Sequence, residues 1–240
     1  MAVSFVIPCY REEEALAALR PHLAAIPADE IVFVDDGSDD GTAAALRALG
    51  AAEPRARIVT HERNRGVGAA MRSGIQATTG DVVVVYDVDR TYPLEDAQRL
   101  IAALGPDIDV ATATPFGPGG GMEDVPAGRS FLSKAAVAAY KLVLGRRGQG
   151  ISVFTCAFRA WQGPFVRALA WQSDGFPAAA EQLGRALLAG GRATEVASTL
   201  RRRTEGVSKM RVLPAAWGHL GVLLRLLGAR LGGRGGKLPV

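Results

Sequence analysis

Short, mostly apolar runs alternate, through the first half of the chain, with stretches whose apolar positions recur every three or four residues. Val3 to Pro8, Ile31 to Val34, Arg57 to Thr60, Val82 to Tyr86 and Ile108 to Thr114 read as strands. Between them, Glu12 to Ala25, Thr42 to Leu49, Val67 to Ala77 and Pro93 to Leu104 have helical spacing, the last with proline in its first turn. Strands that are apolar on both faces and separated by helices predict a mostly parallel sheet covered on each side.

Pro115 to Gly128 breaks this rhythm with a Gly-Pro-rich stretch containing Gly119-Gly120-Gly121, which predicts a mobile loop. A helix from about Arg129 to Leu144, a short strand near Ile151 to Thr155 and a helix around Pro177 to Leu188 follow. From Val212 to Leu231 the pattern is amphipathic: Leu213, Trp217, Leu220, Leu224, Leu227 and Leu231 share one face, and Arg211, His219, Arg225 and Arg230 lie away from it. The pattern predicts one domain over residues 1–211, then a basic helix and tail over 212–240 whose last residues, from Gly232, fray.

Composition narrows the class. Of 240 residues, 48% are hydrophobic and 22% charged, the balance of a folded globular protein. Two cysteines, Cys9 and Cys156, make neither a disulfide framework nor a structural zinc site. There is no signal-peptide pattern at the N-terminus and no uncharged apolar stretch of spanning length. The net charge of +4 is unevenly spread: residues 196–240 carry nine Lys/Arg and one acid, and residues 1–195 carry 19 bases and 23 acids. A basic tail on an acidic body points to an anionic partner, either nucleic acid or a membrane surface.

Ligands of open α/β sheets bind outside the carboxyl ends of the strands, and acids collect there. The second strand ends in Asp35-Asp36-Gly37-Ser38, and the fourth runs into Asp87-Val88-Asp89. Two carboxylates one residue apart in a turn can hold one hard cation, Mg²⁺ or Mn²⁺, which also takes oxygens from a substrate phosphate. A solvated turn and an Asx turn are the competing readings. A dinucleotide fold fits poorly, because strand one leads into Pro8-Cys9-Tyr10-Arg11-Glu12-Glu13-Glu14, without glycines and with acids that would repel a pyrophosphate. His22, His61 and His219 are scattered, as surface residues are.

Taken in order, four segments resemble family 2 glycosyltransferases of the GT-A fold. They are Val3 to Glu12, Glu30 to Thr42, Asn64-Arg65-Gly66 to Gly74 with Gly80-Asp81, and Asp87-Val88-Asp89. Within that family, Asp87 to Asp96 with Tyr92-Pro93, Phe158-Arg159, and Arg203-Thr204-Glu205-Gly206-Val207-Ser208-Lys209 resemble polyprenyl-phosphate (dolichyl-phosphate) mannosyltransferases. Thr91 stands where those synthases usually carry Gln, and Val153 to Ala157 replaces their Asp-containing stretch.

The resemblance implies a Rossmann-like, nucleotide-binding α/β fold with a nucleotide-sugar half (1–114) and an acceptor half (115–211). It implies an inverting, metal-dependent hexosyltransferase, with GDP-mannose or a UDP-sugar as donor and a polyprenyl phosphate or other glycan as acceptor. No nucleic acid is implied, and the place of action is cytoplasmic or peripheral on the cytoplasmic membrane face. Pro8, Tyr10, Glu12, Asp35 and Asp36 line the nucleoside pocket on this reading, and Asp87 and Asp89 hold Mg²⁺ or Mn²⁺. Arg129, Ser133 and Lys134 sit near the acceptor phosphate, and Arg203, Ser208 and Lys209 approach the phosphates from the other side. A phosphate acceptor, with a second pKa near ~6, is already nucleophilic at neutral pH. A hydroxyl acceptor, the alternative, needs a carboxylate base, for which Glu181 and Asp174 are candidates. A non-catalytic nucleotide-binding protein is the third reading. The 212–231 helix either docks on anionic membranes through its Leu/Trp face, with Arg211, Arg225 and Arg230 on lipid phosphates, or packs on the core.

Overall fold

The computed structural model describes residues 1–123, 127–203 and 212–232, without the side chains of 127–132 and 212–215. The elements run β1 (Val3–Cys9), α1 (Glu13–Leu19), β2 (Glu30–Asp35), α2 (Thr42–Ala52), β3 (Ala56–Thr60), α3 (Val67–Ala77), β4 (Val82–Val85), α4 (Asp96–Ala102), β5 (Val110–Thr114), β6 (Gly121–Met122), α5 (Ala127–Leu144), β7 (Arg159–Gln162), α6 (Gly163–Ala168), α7 (Ala178–Leu188), β8 (Ala193–Ala197), β9 (Thr199–Leu200) and α8 (Val212–Leu231). The central sheet has seven strands in the order β3-β2-β1-β4-β7-β5-β8, and all its pairings are parallel except those of β7.

Strand alternation divides the core. On β1, Phe5 and Ile7 face α1, α2 and α4, where they meet Phe33, Tyr86 and Phe158; Val6 faces the side of α3, α6 and α7 with Met71, Val83 and Val85. Helix α3 lies close on the sheet because Gly74 has no side chain: a Cβ there would sit 2.4 Å from Val6 Cγ1.

Several elements differ from the pattern's prediction. The helix expected to Ala25 breaks after Leu19 into a 3₁₀ turn, Arg20–Ala25, with Pro21 in its first turn. Ile151, Val153 and Phe154 are buried as a strand's would be, yet they form none. The Glu195 carboxylate takes the backbone N–H of Ser152 (2.8 Å) and Val153 (3.2 Å), replacing a ladder. The ladder goes instead to β7, eight residues on from Ile151, antiparallel between β4 and β5.

The described part of the Gly-Pro stretch is also tied down. Gly121 and Met122 pair with Thr199 and Leu200, and Glu123 N–H donates to Leu200 O at 2.9 Å. Helix α5 begins at Ala127, inside the stretch expected to be loop.

Candidate active site

The carboxyl ends of β1, β2 and β4 form one acidic rim. Behind β1, Arg11 adopts a left-handed backbone (φ 53°) and forms a two-pronged ion pair with Asp39, its guanidinium 5.4 Å from the Tyr10 ring centroid. Its N–H donates to Ser38 Oγ, and Glu12 N–H donates to Thr42 Oγ1 at 2.7 Å. The turns after β1 and β2 are thereby clamped together, with Pro8, Tyr10 and Glu12 half-buried at their junction.

The neighbouring carboxylates at the end of β2 have different tasks. Asp36 is buried and accepts four hydrogen bonds: His61 Nδ1 (2.6 Å) and Arg65 N (3.0 Å) on one oxygen, Asn64 Nδ2 (3.1 Å) and Gly66 N (2.7 Å) on the other. A carboxylate can only accept, so His61 Nδ1 carries the proton, and in the neutral ring Nε2 accepts from Ser73 Oγ at 2.8 Å. Asp36 therefore shapes the 61–66 loop that enters α3. His61 is buried at the centre of this chain of bonds, which corrects its placement on the surface. Asp35, also buried, accepts on Oδ1 from Ser38 N at 3.0 Å, and its Oδ2 has no hydrogen-bond partner among the described residues.

After β4 the chain turns sharply. Arg90, left-handed at φ 52°, donates its N–H to Asp87 O, and Asp89 Oδ1 accepts from Thr91 N at 3.3 Å. Burial and the adjacent Asp89 push the Asp87 carboxyl up to about 7; Glu12 adds to this and Arg203 opposes it. The half-buried Arg203 guanidinium pairs with Glu12 and lies 3.4 Å from Asp89. Glu12, Asp87, Asp89 and Arg203 thus come together from three separate segments of the chain.

The remaining predicted residues lie elsewhere. Ser133 is half-buried and Lys134 exposed on α5, with Lys134 Nζ 5.9 Å from the Phe116 ring. The side chain of Arg129, and Ser208 and Lys209 altogether, lie outside the described residues. Glu181 is wholly buried on α7, bonded to Ser173 N (2.8 Å) and Oγ (2.6 Å) and to Arg225, with Arg185 at 3.5 Å. Despite burial, these partners bring its carboxyl down to about 2, which makes it a poor proton acceptor. Asp174 pairs with Arg72, and its carbonyl caps the N-terminus of α3 through Gly68 N–H (2.6 Å).

Arg159, of the Phe158-Arg159 pair, is fully buried. It donates to Thr112 Oγ1, Ala179 O and Phe154 O, tying β5, α7 and the preceding loop together, and burial lowers it to about 10.

A mostly parallel α/β sheet with helices on both faces, carrying carboxylates at the ends of β2 and β4, has its acids where open α/β sheets place their ligands. The family follows from comparison: the model of glycosyl transferase family 2 matches residues 4–166, and the chain belongs to that family. It is 33% identical to the polyprenol monophosphomannose synthase of Mycolicibacterium smegmatis over 85% of this chain and 79% of that one. It is 29% identical to the undecaprenyl-phosphate mannosyltransferase of Micrococcus luteus over 88% of each. Among solved structures, glucosyl-3-phosphoglycerate synthase of Mycobacterium tuberculosis, in complex with Mn²⁺, UDP and glucosyl-3-phosphoglycerate, superposes with a TM-score of 0.68 at 20% identity, covering 96% of this chain and 80% of that one. That likeness bears out the GT-A fold with its mostly parallel sheet.

Asp35→Ala is expected to weaken binding of a free nucleoside diphosphate even in chelator, by about tenfold, since a carboxylate accepting from a neutral ligand group contributes roughly 1.5 kcal/mol. Calorimetric titration checks this; unchanged affinity would leave Asp35 only its Ser38 turn.

Proposed function

We propose that this protein is an inverting glycosyltransferase that moves a hexose, mannose in the first instance, from a nucleoside diphosphate sugar to a polyprenyl phosphate at a membrane surface. The observation that carries this reading is the meeting of Glu12, Asp87, Asp89 and Arg203 at the strand ends. The names of the two mannosyltransferase relatives support the acceptor and the sugar.

A divalent cation fits the acidic turn. Its donors are hard oxygens, and the crowding that raises Asp87 is what a cation relieves. Among the described residues no group of three or more His, Cys, Asp or Glu is placed to hold a metal by itself, so an ion on this turn would also draw on donor phosphates and water. Asp87 and Asp89 would hold the ion, which when bound neutralises charge on the departing nucleotide.

The protein's own part is positioning. Asp35 accepts from the nucleoside, and the clamped turns around Tyr10 and Arg11 fix the floor beneath it. Arg203 offers a planar fork to phosphate oxygens. With Glu181 committed to Arg225 and Asp174 to Arg72, neither base candidate is poised for a hydroxyl acceptor. A phosphate acceptor needs no base, and orientation with charge stabilisation suffices. The test is incubation with labelled GDP-mannose, or UDP-glucose, and a polyprenyl phosphate, followed by lipid extraction. Label only in water-soluble product would refute the acceptor.

Helix α8 supports the membrane part of the reading, in a form different from the one its sequence predicted. Val222 and Leu226 are fully buried against the body of the protein, while Trp217, Leu220, Leu224 and Leu231 on the opposite face are exposed, with Leu142 of α5 also exposed. Arg225 turns inward to Glu181 and so does not serve lipid phosphates as expected; Arg230, exposed, donates to the Val143 carbonyl (2.7 Å), and Arg211 lies outside the described residues. His219 is half-buried too, 2.7 Å from Tyr140 Oη. Among the described residues no helix is long and apolar enough to cross a membrane. With Trp217, Leu224 and Leu231 exposed, docking would rest chiefly on apolar insertion. Changing Trp217 and Leu224 together to Ser is expected to lower vesicle binding by about tenfold or more, and wild-type binding should survive high salt. Flotation that collapses in salt would contradict apolar docking.

A further inference from the structure

The residue that ties the acidic rim together is itself a cation. Arg203 reaches back to the end of β1 and the turn after β4, pairing with Glu12 and lying 3.4 Å from Asp89. Both carboxylates are largely shielded, with side chains 10% and 17% exposed, and Arg203 is 18% exposed. The guanidinium thus places its positive charge beside Asp89 Oδ2, one of the oxygens that a divalent ion on the same turn would use. A divalent ion on that turn would lie within a few ångström of the guanidinium, and two cations so close repel one another strongly in so shielded a place.

We propose that Arg203 is a resident counter-cation that keeps a bare divalent ion off Asp87 and Asp89 and releases them when the ion arrives with a nucleoside diphosphate. This rests on the glycosyltransferase reading above and adds an order of events to it. A bare ion must displace the guanidinium from its carboxylates and offers it nothing in exchange. An ion carrying a diphosphate brings oxygens that the planar fork of Arg203 can grip instead. Metal and donor therefore load together, and without them Arg203 offsets part of the negative charge that Glu12 and Asp89 bring to the turn. The same residue opposes the metal in the empty state and assists the metal–diphosphate complex in the loaded one, a coupling between two ligands that a merely structural tie does not produce.

The test uses the full chain and Mn²⁺, with free ion followed by electron paramagnetic resonance. In Arg203→Gln, affinity for Mn²⁺ alone should rise about tenfold and affinity for Mn²⁺ with GDP or UDP should fall about tenfold, opposite movements within the usual range of such couplings. Arg203→Lys keeps the charge without the fork, so it should leave Mn²⁺ alone weak and still lose grip on the diphosphate complex. A thermal melt beside each titration reports folding, and if the Gln variant is unfolded the Lys variant decides. Unchanged or weaker binding of Mn²⁺ alone in a folded Gln variant would overturn the proposal while leaving the glycosyltransferase reading intact. Failure of the wild type to bind Mn²⁺ with either nucleotide would remove the metal from that reading, and the counter-cation with it.

Discussion

Asp89→Asn protein is expected to fold as the wild type does and to transfer sugar at least about a hundredfold more slowly, the scale seen when one charge-stabilising group is lost from a preorganised site. The fold should survive because the asparagine oxygen can still accept from Thr91 N–H, the only backbone bond the Asp89 side chain makes among the described residues. Transfer should fail for two reasons. An amide offers a cation no charge, and Arg203 loses the partner 3.4 Å away that helps set its position. The measurement is labelled lipid product per minute, with and without chelator, beside a thermal melt. Activity in the variant close to that of the untreated wild type would remove Asp89 from the chemistry. A wild type indifferent to chelator would remove the metal.

Arg225→Ala should cost about 3 kcal/mol of stability, because it strands a wholly buried carboxylate. Glu181 would retain Ser173 and Arg185, the latter at 3.5 Å, which keeps the loss at the low end for a broken buried pair. The acid dependence has a definite sign. A carboxyl held at about 2 in the folded protein, against an ordinary value of 4.5, stabilises fully above about pH 5. That contribution fades as pH falls from there toward 2. The gap between wild type and variant, read from urea unfolding, should therefore be widest at neutral pH and narrow by pH 3. An equal gap at both would mean that Arg225 acts by packing alone. The same bond bears on α8 as a whole: removing the helix takes away Val222, Leu226 and the partner of Glu181 together, so the domain should not survive its loss.

How far the sequence could be read depended on whether a residue's partners lay near it in the chain. β1, β2 and β4 were plain because each is an uninterrupted apolar run, and the carboxylates at their ends follow from the parallel sheet. β7 was not, since an arginine opens it and the acceptors that satisfy that arginine, on Thr112, Ala179 and Phe154, are assembled only by folding. β8 was missed because its five residues are all half-exposed and show no alternation. The run at Ile151 looked like a strand because burial, not pairing, dictates its composition. Asp36 and Asp35 are chemically identical in sequence, and only the donors gathered around Asp36 from residues 61–66 separate their tasks. On α8 both sides are apolar, so the pattern showed a stripe of Leu and Trp but not which side meets the protein.

The antiparallel strand between β4 and β5 has a consequence for how the chain must be made. When residues up to Thr114 have emerged during synthesis, β4 and β5 both exist in sequence but lack the neighbour they share, and β5 has no strand partner at all until β7 and β8 follow. The entropic penalty of waiting is modest, because loop closure grows only logarithmically with length. Exposure is the harder problem: an all-valine β4, Val82–Val85, waits with one open edge that invites pairing with another chain. The parts before and after Thr114 therefore share one folding fate, and a chain cut between them would be expected to yield aggregate rather than a folded half.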